Sequence, residues 1–142
     1  QEALFDMAAE SAALTAGRID VGGVASFLGV CRGDDGLSAL VLEHYPGMTE
    51  ASLYRLIEAA TARWALLGAV ITHRVGIIPL GAPVVVVGAA SLHRAEALEA
   101  TGFLIDRLKT DAPFWKRAHY ADGTAQWVEA KASDEARAER WV

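Results

Sequence analysis

The stretch that most constrains the fold is "APVVVVGAASL" (82–92), an unbroken apolar run rich in β-branched valine. The run is too short to cross a bilayer as a helix, which needs about 20 apolar residues. Valine favours extended structure, so the run is typical of a buried strand. The sequence therefore predicts a packed core built around this strand, and no transmembrane helix.

Composition narrows the classes of protein that remain. The chain has 142 residues, of which 53% are hydrophobic, so we expect one compact domain over residues 1–142. A formal net charge of -5 argues against a general nucleic-acid binder, although it permits a local cationic pocket. The first residues lack the basic region of a signal peptide, and the single cysteine, Cys31, cannot form an intrachain disulfide. We therefore expect a cytoplasmic protein that does not associate with membranes.

Apolar runs and turn residues predict an α+β fold with a largely antiparallel sheet. The strands are expected at residues 21–32, 37–45, 69–79, 82–91, 114–120 and 125–131. The first two should form a hairpin-like pair around the turn "RGDDG" (32–36), and Leu80-Gly81 should form another turn.

Three helices are predicted from capping residues and apolar spacing. They are expected at 46–68 with Thr49 as N-cap, at 91–110 with Ser91 as N-cap, and at 133–141 with Ser133 as N-cap. The first should bury Leu53, Leu56, Ile57, Ala60 and Trp64, and the second should bury Leu98, Ile105 and Leu108.

The segment "LKTDAPFWKR" (108–117) holds two of the three lysines in a chain that has ten arginines. Lysine can lose its proton or form amides, whereas arginine stays charged, so the pair suggests chemistry. A lysine in the last helical turn complements the helix dipole, which explains Lys109 but not Lys116. Strand alternation puts Lys116 on one face with Phe114, and Trp115 with Arg117 on the other. The segment is either an aromatic anchor or a basic binding surface.

His93 and Arg94 form a second basic group at the expected start of a helix. The helix dipole disfavours cations there by roughly 0.3 to 1 kcal/mol each, unless an anion binds at the same place. The alternative is a solvated basic pair. Arg32, where a strand enters a glycine-rich turn, is either a ligand contact or an exposed turn charge.

Other chemistries have weaker support. Cys31 could act as a nucleophile with His44 or His73 as base, but both histidines are better explained as hydrogen-bonded strand residues. The four histidines are dispersed and there is no cysteine pair, so no metal site is predicted, and we expect no bound cofactor.

Four segments resemble the large, catalytic subunit of molybdopterin synthase. They are "LEHYPGMTE" (42–50), "SLHRAEA" (91–97), "LKTDAPFWKR" (108–117) and "WVEAKASD" (127–134), in the order and with the gaps of that family. The resemblance extends from about Val21 to Trp141. It implies an α/β-hammerhead type of fold.

The resemblance also implies an activity and partners. The activity is sulfur transfer to cyclic pyranopterin monophosphate, which creates the dithiolene of molybdopterin. The sulfur would come from the thiocarboxylated Gly-Gly C-terminus of a small ubiquitin-like subunit. Two large subunits would form a central homodimer flanked by two small ones, giving a heterotetramer. The rival hypothesis is a non-catalytic module that binds an anion or a partner's tail.

Carried over position by position, the resemblance assigns the site. Lys109 and Lys116 would be catalytic, and the substrate-binding residues would be Arg32, His93, Arg94, Arg117 and Lys131. The chain departs from the family in a short "RGDDG" turn, in Ala118 where an acidic residue is expected, and in Glu96.

One continuous helix would put His93 and Lys109 roughly 24 Å apart along its axis, because each residue adds about 1.5 Å. A single pterin cannot touch both. Either the helix breaks near Gly102, or the two basic groups come from two chains across a two-fold axis.

Overall fold

The computed structural model describes residues 5–33, 36–111, 114–128, 132–139 and 141. The helices are α1 (Met7–Ala13), α2 (Met48–Trp64), α3 (Arg94–Asp111) and α4 (Ala132–Glu139). The strands are β1 (Gly23–Val30), β2 (Leu37–His44), β3 (Gly68–His73), β4 (Gly76–Pro79), β5 (Pro83–Ser91), β6 (Phe114–Tyr120) and β7 (Ala125–Val128). None of these helices is long and apolar enough to cross a membrane.

The strands are divided between two antiparallel sheets, which confirms the α+β prediction. The first has the order β1-β5-β3 and the second β4-β2-β6-β7. β5 is the valine-rich run, and it is buried at every position after Pro83. A strand with this much apolar surface is stable at the centre of a sheet, where both edges are paired and both faces can be covered.

The predicted hairpin between the first two strands is wrong. β1 pairs with β5, from Gly23 opposite Ser91 to Val30 opposite Pro83, whereas β2 pairs with β4 and β6. The apolar β5 takes β1 as an edge partner, so the chain passes from the first sheet to the second between β1 and β2. Residues 34 and 35 of the predicted turn lie outside the described residues. A local turn signal does not identify the strand that will pair.

The strand predicted at 69–79 is two strands in different sheets. The chain leaves β3 at His73, passes through the buried residues Arg74 and Val75, and enters β4 at Gly76. The Arg74 amide donates to the Val84 carbonyl at 2.8 Å, which keeps the crossing attached to β5. Gly76 has φ 85°, a conformation that favours glycine.

α2 lies within the predicted range 46–68, but its N-cap precedes the predicted Thr49 and it ends before Gly68. Gly47 is its N-cap, and the Gly47 amide donates to the Glu50 carboxylate at 2.5 Å. Thr49 lies inside the helix, where its hydroxyl accepts from the Tyr45 amide. Ala65, with φ 51°, ends the helix before Gly68, which begins β3. The predicted apolar face is confirmed, since Leu56 and Ala60 are buried and the other three residues are partly buried.

α3 begins at Arg94, so Ser91 is the last residue of β5 and not an N-cap. The Ser91 hydroxyl donates to the His93 carbonyl within the connection. Leu98 is 62% exposed, contrary to prediction, because Ala97, Ala100 and Leu104 form the buried stripe instead. α4 begins at Ala132, so Ser133 lies within it.

Two apolar clusters hold the layers together. In the larger one, α2 and α3 pack against the first sheet through Leu56, Ala60, Leu66, Val85, Val87, Ala89, Ala100, Phe103, Leu104 and Leu108. The smaller one, Cys31, Leu42, Ile78 and Val84, joins the second sheet to the end of the first. The last turn of α3 lies near this junction, since Lys109 lines one cavity with residues of both sheets.

Candidate active site

A cavity of about 530 Å³ lies where the two sheets meet. Its lining residues come from the end of β1, from β2, β5 and β6, and from the last turn of α3: Gly29, Val30, Cys31, Arg32, Leu37, Leu40, Leu42, Val84, Val85, Lys109, Lys116, Ala118 and Tyr120. Most of the lining residues are apolar, and three basic residues are among the rest. A cavity of this size suits a small-molecule ligand or a narrow peptide tail.

The two lysines reach the cavity from different kinds of element. Lys109 is in the last turn of α3, where the partial negative charge of the helix end stabilises a cation. Lys116 lies on β6, on the face it shares with Ala118 and Tyr120. Both lysines are half-buried. The convergence of Lys109 and Lys116 agrees with the interpretation of "LKTDAPFWKR" as a basic binding surface.

Arg32 brings the third cation, from the segment that follows β1. Its side chain is exposed at the mouth of the cavity, whereas Cys31 beside it is 1% exposed. No carboxylate is present among the lining residues that the structure describes. Three basic residues beside an apolar wall give this cavity the charge that an anionic ligand requires, although the protein has a net charge of -5.

The opposite face of β6 has a different environment, as strand alternation predicts. Arg117 is 3.5 Å from the Glu43 carboxylate and lies over the Trp127 ring, 4.8 Å from its centroid. Trp115 packs edge-on against Tyr45 and Trp127. Arg117 therefore does not face the lysine cavity of its own chain.

His93 and Arg94 lie at the other end of α3. They are exposed and line a separate open depression with Gly22, Leu92 and Ala95. α3 runs without interruption from Arg94 to Asp111, so the predicted alternative of a break near Gly102 is wrong. The rise of about 1.5 Å per residue puts roughly 22 Å between Arg94 and Lys109 along the helix axis.

The depression depends on a close approach between two backbones. A Cβ atom on Gly22 would lie 1.9 Å from the Leu92 carbonyl oxygen, so no other residue fits there without rearrangement. The Gly22 amide donates to the Ser91 carbonyl at 2.9 Å. The glycines that the sequence places at the start of β1 therefore hold the start of α3 against it.

Lys131 lies outside the residues that the structure describes. It immediately precedes α4, which is packed against α3. Trp141 anchors this end of the chain, because its indole donates to the Asp106 carboxylate at 2.7 Å and its carbonyl accepts from Arg63 at 2.8 Å.

Sequence reasoning left His73 out of the site, although it lies close to both lysines. Burial, together with the charges of Lys109 and Lys116, lowers the pKa of His73 to about 4, although the hydrogen bond to the Arg74 backbone opposes part of this change. Its Nδ1 is 2.7 Å from the Arg74 carbonyl, so Nδ1 carries the proton of the neutral ring. In the sequence, His73 is recognisable only as a histidine at the end of an apolar strand. That position predicts a hydrogen-bonded side chain and gives no indication of the nearby lysines.

Comparison with known proteins shows which family the chain resembles. The model of a protein family described as "MoaE protein" matches residues 1–111. A "Molybdopterin synthase catalytic subunit" from Mesorhizobium japonicum is 55% identical over 139 residues, which cover 96% of this chain and 87% of that protein.

Solved structures agree. The "Molybdopterin biosynthesis MoaE protein" of Burkholderia ambifaria is 41% identical with a TM-score of 0.84, covering 99% of this chain and 94% of that one. The molybdopterin synthase of Staphylococcus aureus is 29% identical with a TM-score of 0.70, covering 77% of this chain and 81% of that one. With a lysine pair in one cavity, this fold and these relatives, the chain belongs to the MoaE family of molybdopterin synthase catalytic subunits.

Proposed function

We propose that this protein is the catalytic subunit of a molybdopterin synthase, which transfers sulfur to cyclic pyranopterin monophosphate. The observation that carries the proposal is the meeting of Lys109, Lys116 and Arg32 in one cavity without a described carboxylate. The substrate phosphate and the thiocarboxylate donor are both anions. A preorganised cationic site stabilises such groups best where water is scarce.

Lys109 is the residue that we assign to the partner's C-terminal carbonyl during sulfur transfer. It is fixed at the end of a long helix, and its amine can accept a proton or form an amide bond. Lys116 faces it from β6, so we assign it to substrate orientation and charge stabilisation. Arg32 at the mouth would hold a phosphate oxygen through its planar guanidinium.

The sulfur donor is a small ubiquitin-like subunit whose Gly-Gly tail carries the thiocarboxylate. Glycine has no side chain, so an extended tail can enter a cavity lined by apolar residues and backbone. The name of the Mesorhizobium japonicum relative, a catalytic subunit, agrees with an enzyme that requires a further subunit. We also propose a cytoplasmic location, where the buried thiol of Cys31 would remain reduced.

His93 and Arg94 complete the site from a second copy of the chain. They lie too far along α3 to reach a pterin bound at Lys109 of the same chain. A two-fold axis that runs across α3 would place the N-terminal end of one copy beside the C-terminal end of the other, so a homodimer of this kind would hold two composite sites. Arg117 and Lys131 stay predictions as substrate-binding residues, and Arg117 would need a ligand or a neighbouring chain at the outer face of β6.

The test is reconstitution from purified parts. The protein is incubated with thiocarboxylated small subunit and cyclic pyranopterin monophosphate, and the dithiolene product is measured by mass spectrometry. We expect product with the intact partner. A partner lacking its last two glycines should give none while still docking through its globular surface. Arg55→Ala, on the exposed side of α2, is the matched control and should keep full activity.

A non-catalytic binding module would behave differently. It would capture the small subunit and the anionic pterin without forming product. Binding without turnover, using a partner that is active with another synthase, would favour that alternative.

A further inference from the structure

His73 has surroundings that its role as a strand residue does not require. It ends β3, where it pairs with Val85 of β5, and it is 7% exposed. Its ring stacks on Phe114, with centroids 4.0 Å apart and planes 20° from parallel. Phe114 begins β6 two residues before Lys116, so the two side chains share a face of that strand. The stack therefore fixes the part of β6 that presents Lys116.

The stacked pair also borders a second cavity with a different charge. This smaller space, of about 210 Å³, is lined by His73 and Phe114 together with His44, Thr49, Glu50, Leu53, Ile71, Thr72 and Val75. The Glu50 carboxylate is 3.6 Å from His44 Nε2. Val85, the strand partner of His73, lines the lysine cavity instead. The wall between a cavity with a carboxylate and a cavity with two lysines thus contains an imidazole.

The charged and titratable groups around this imidazole come from five elements or connections. They are Lys109 of α3, Lys116 of β6, His44 of β2, Glu50 of α2 and Arg74 of the adjoining connection. Burial keeps the ring uncharged at neutral pH, since the pKa of His73 is lowered to about 4. A cationic ring here would add repulsion to two lysines, and an acidic side chain would pair with them.

We propose that His73 is a positioning residue for the sulfur-transfer site: its neutral ring, stacked on Phe114, holds the inner wall behind Lys109 and Lys116 and keeps negative charge away from their amines. The proposal rests on the function proposed for the lysine pair, and it assigns His73 no contact with the substrate. A carboxylate at this place would stabilise both ammonium forms and oppose any step that needs an unprotonated amine.

The decisive experiment measures the lysines directly, without partner or substrate. The chain has only three lysines, so protein labelled with ¹³C-lysine gives few ε-methylene signals, which Lys→Arg variants assign. The first variant is His73→Glu. The second is His73→Gln, because glutamine has nearly the shape of glutamate but no charge. The third is His73→Phe, which keeps an aromatic ring to stack on Phe114. His119→Glu, on the outer face of the second sheet, is the matched control for added charge.

In His73→Glu we expect the titration midpoints of Lys109 and Lys116 to rise by about one pH unit or more, as an adjacent opposite charge requires. They should change by less than about 0.3 units in His73→Gln, His73→Phe and His119→Glu. Equal shifts in the Glu and Gln variants, or no shift in a folded His73→Glu protein, would overturn the proposal.

Activity supplies the second readout. His73→Phe should keep at least about a third of the wild-type kcat with an unchanged pH profile, whereas His73→Glu should lose turnover at neutral pH and recover part of it at higher pH. A native His73→Phe protein that loses more than tenfold would show that the imidazole itself takes part in the chemistry, which contradicts the proposal even if His73→Glu does not fold. Because the lysine titration needs no turnover, it distinguishes failure of this inference from failure of the proposed function.

Discussion

The two ends of α3 both carry basic residues, yet they differ in almost every physical respect. At the C-terminal end, Lys109 complements the helix dipole and faces a cavity that Lys116 also lines. At the N-terminal end, His93 and Arg94 oppose the dipole, are exposed, and line an open depression. The C-terminal end borders a cavity that a single chain forms by itself. The N-terminal end would become part of a binding site only if an anion or a second chain contacted it.

Removing the lysine at the C-terminal end of α3 should have the largest effect on activity. We expect Lys109→Ala to lower turnover at least about 10³-fold, because in the proposed mechanism its amine meets the reacting carbonyl and alanine offers no replacement. Lys109→Arg should fail as well, since guanidinium cannot release its proton. The measurement is product formation with saturating partner, with circular dichroism to verify folding. Near wild-type activity in the arginine variant would mean that only positive charge is needed.

The buried imidazole beside the lysines should affect stability in acid. The pKa of His73 in the folded protein, about 4, lies below its ordinary value of 6.5. The unfolded chain therefore binds a proton more readily in this interval, and stability present at pH 7 is lost as the pH falls from about 6.5 towards 4. The loss attributable to His73 should approach about 3 kcal/mol, from 1.36 kcal/mol per pKa unit.

Urea unfolding of wild type and His73→Phe at several pH values measures that loss. The difference in unfolding free energy between the two proteins should change across this interval, while His93→Phe, at the exposed end of α3, is the control. Parallel curves for wild type and His73→Phe would mean that His73 is charged in the native protein at pH 5.

The next effect concerns whether the two ends of α3 meet across a dimer. Lys109→Ala and Arg94→Ala proteins, each inactive alone, are dissociated and mixed, and subunit exchange is verified by mass. Random exchange makes half of the dimers mixed, and half the sites of a mixed dimer contain only wild-type residues, so roughly a quarter of the activity should return. Verified exchange without recovery would exclude the composite site.

The sequence predicted the elements better than their pairing. The valine run, the α2 face and the turn at Gly81 were confirmed because each depends on residues close in sequence. The prediction for β1 failed because its true partner, β5, lies more than fifty residues away. That β5 pairs along both of its edges is a property of the whole sheet and not of the residues near β1.

The site shows the same division between local and distant information. Lys109 and Lys116 are close in sequence, so their meeting in one cavity could be foreseen. Arg32 and His73 reach the same region only through the packing of the two sheets. Whether Arg117 lines the cavity depends on which face of β6 points towards it, and the structure shows that Arg117 lies on the opposite face, near Glu43. Family resemblance identified most of these positions without saying which face each would occupy.

The smallest effect tests the exposed end directly. Arg94 is the first residue of α3, where the unpaired amides and the dipole make a positive side chain unfavourable. In the isolated protein at low ionic strength, Arg94→Gln should therefore raise the unfolding free energy by about 0.3 to 1 kcal/mol, and the gain should vanish in about 1 M salt. Glutamine has nearly the helix propensity of arginine, so propensity does not confuse the result.

Arg55→Gln, in the middle of α2, is the matched control, because it removes an exposed arginine far from either helix end. Its unfolding free energy should stay close to that of wild type at both salt concentrations. If Arg94→Gln instead destabilises the protein at low salt, Arg94 is already satisfied within its own chain. The N-terminal end of α3 would then be stable without an anion or a second chain. The unfavourable position of Arg94 would no longer support the proposed site shared by two chains.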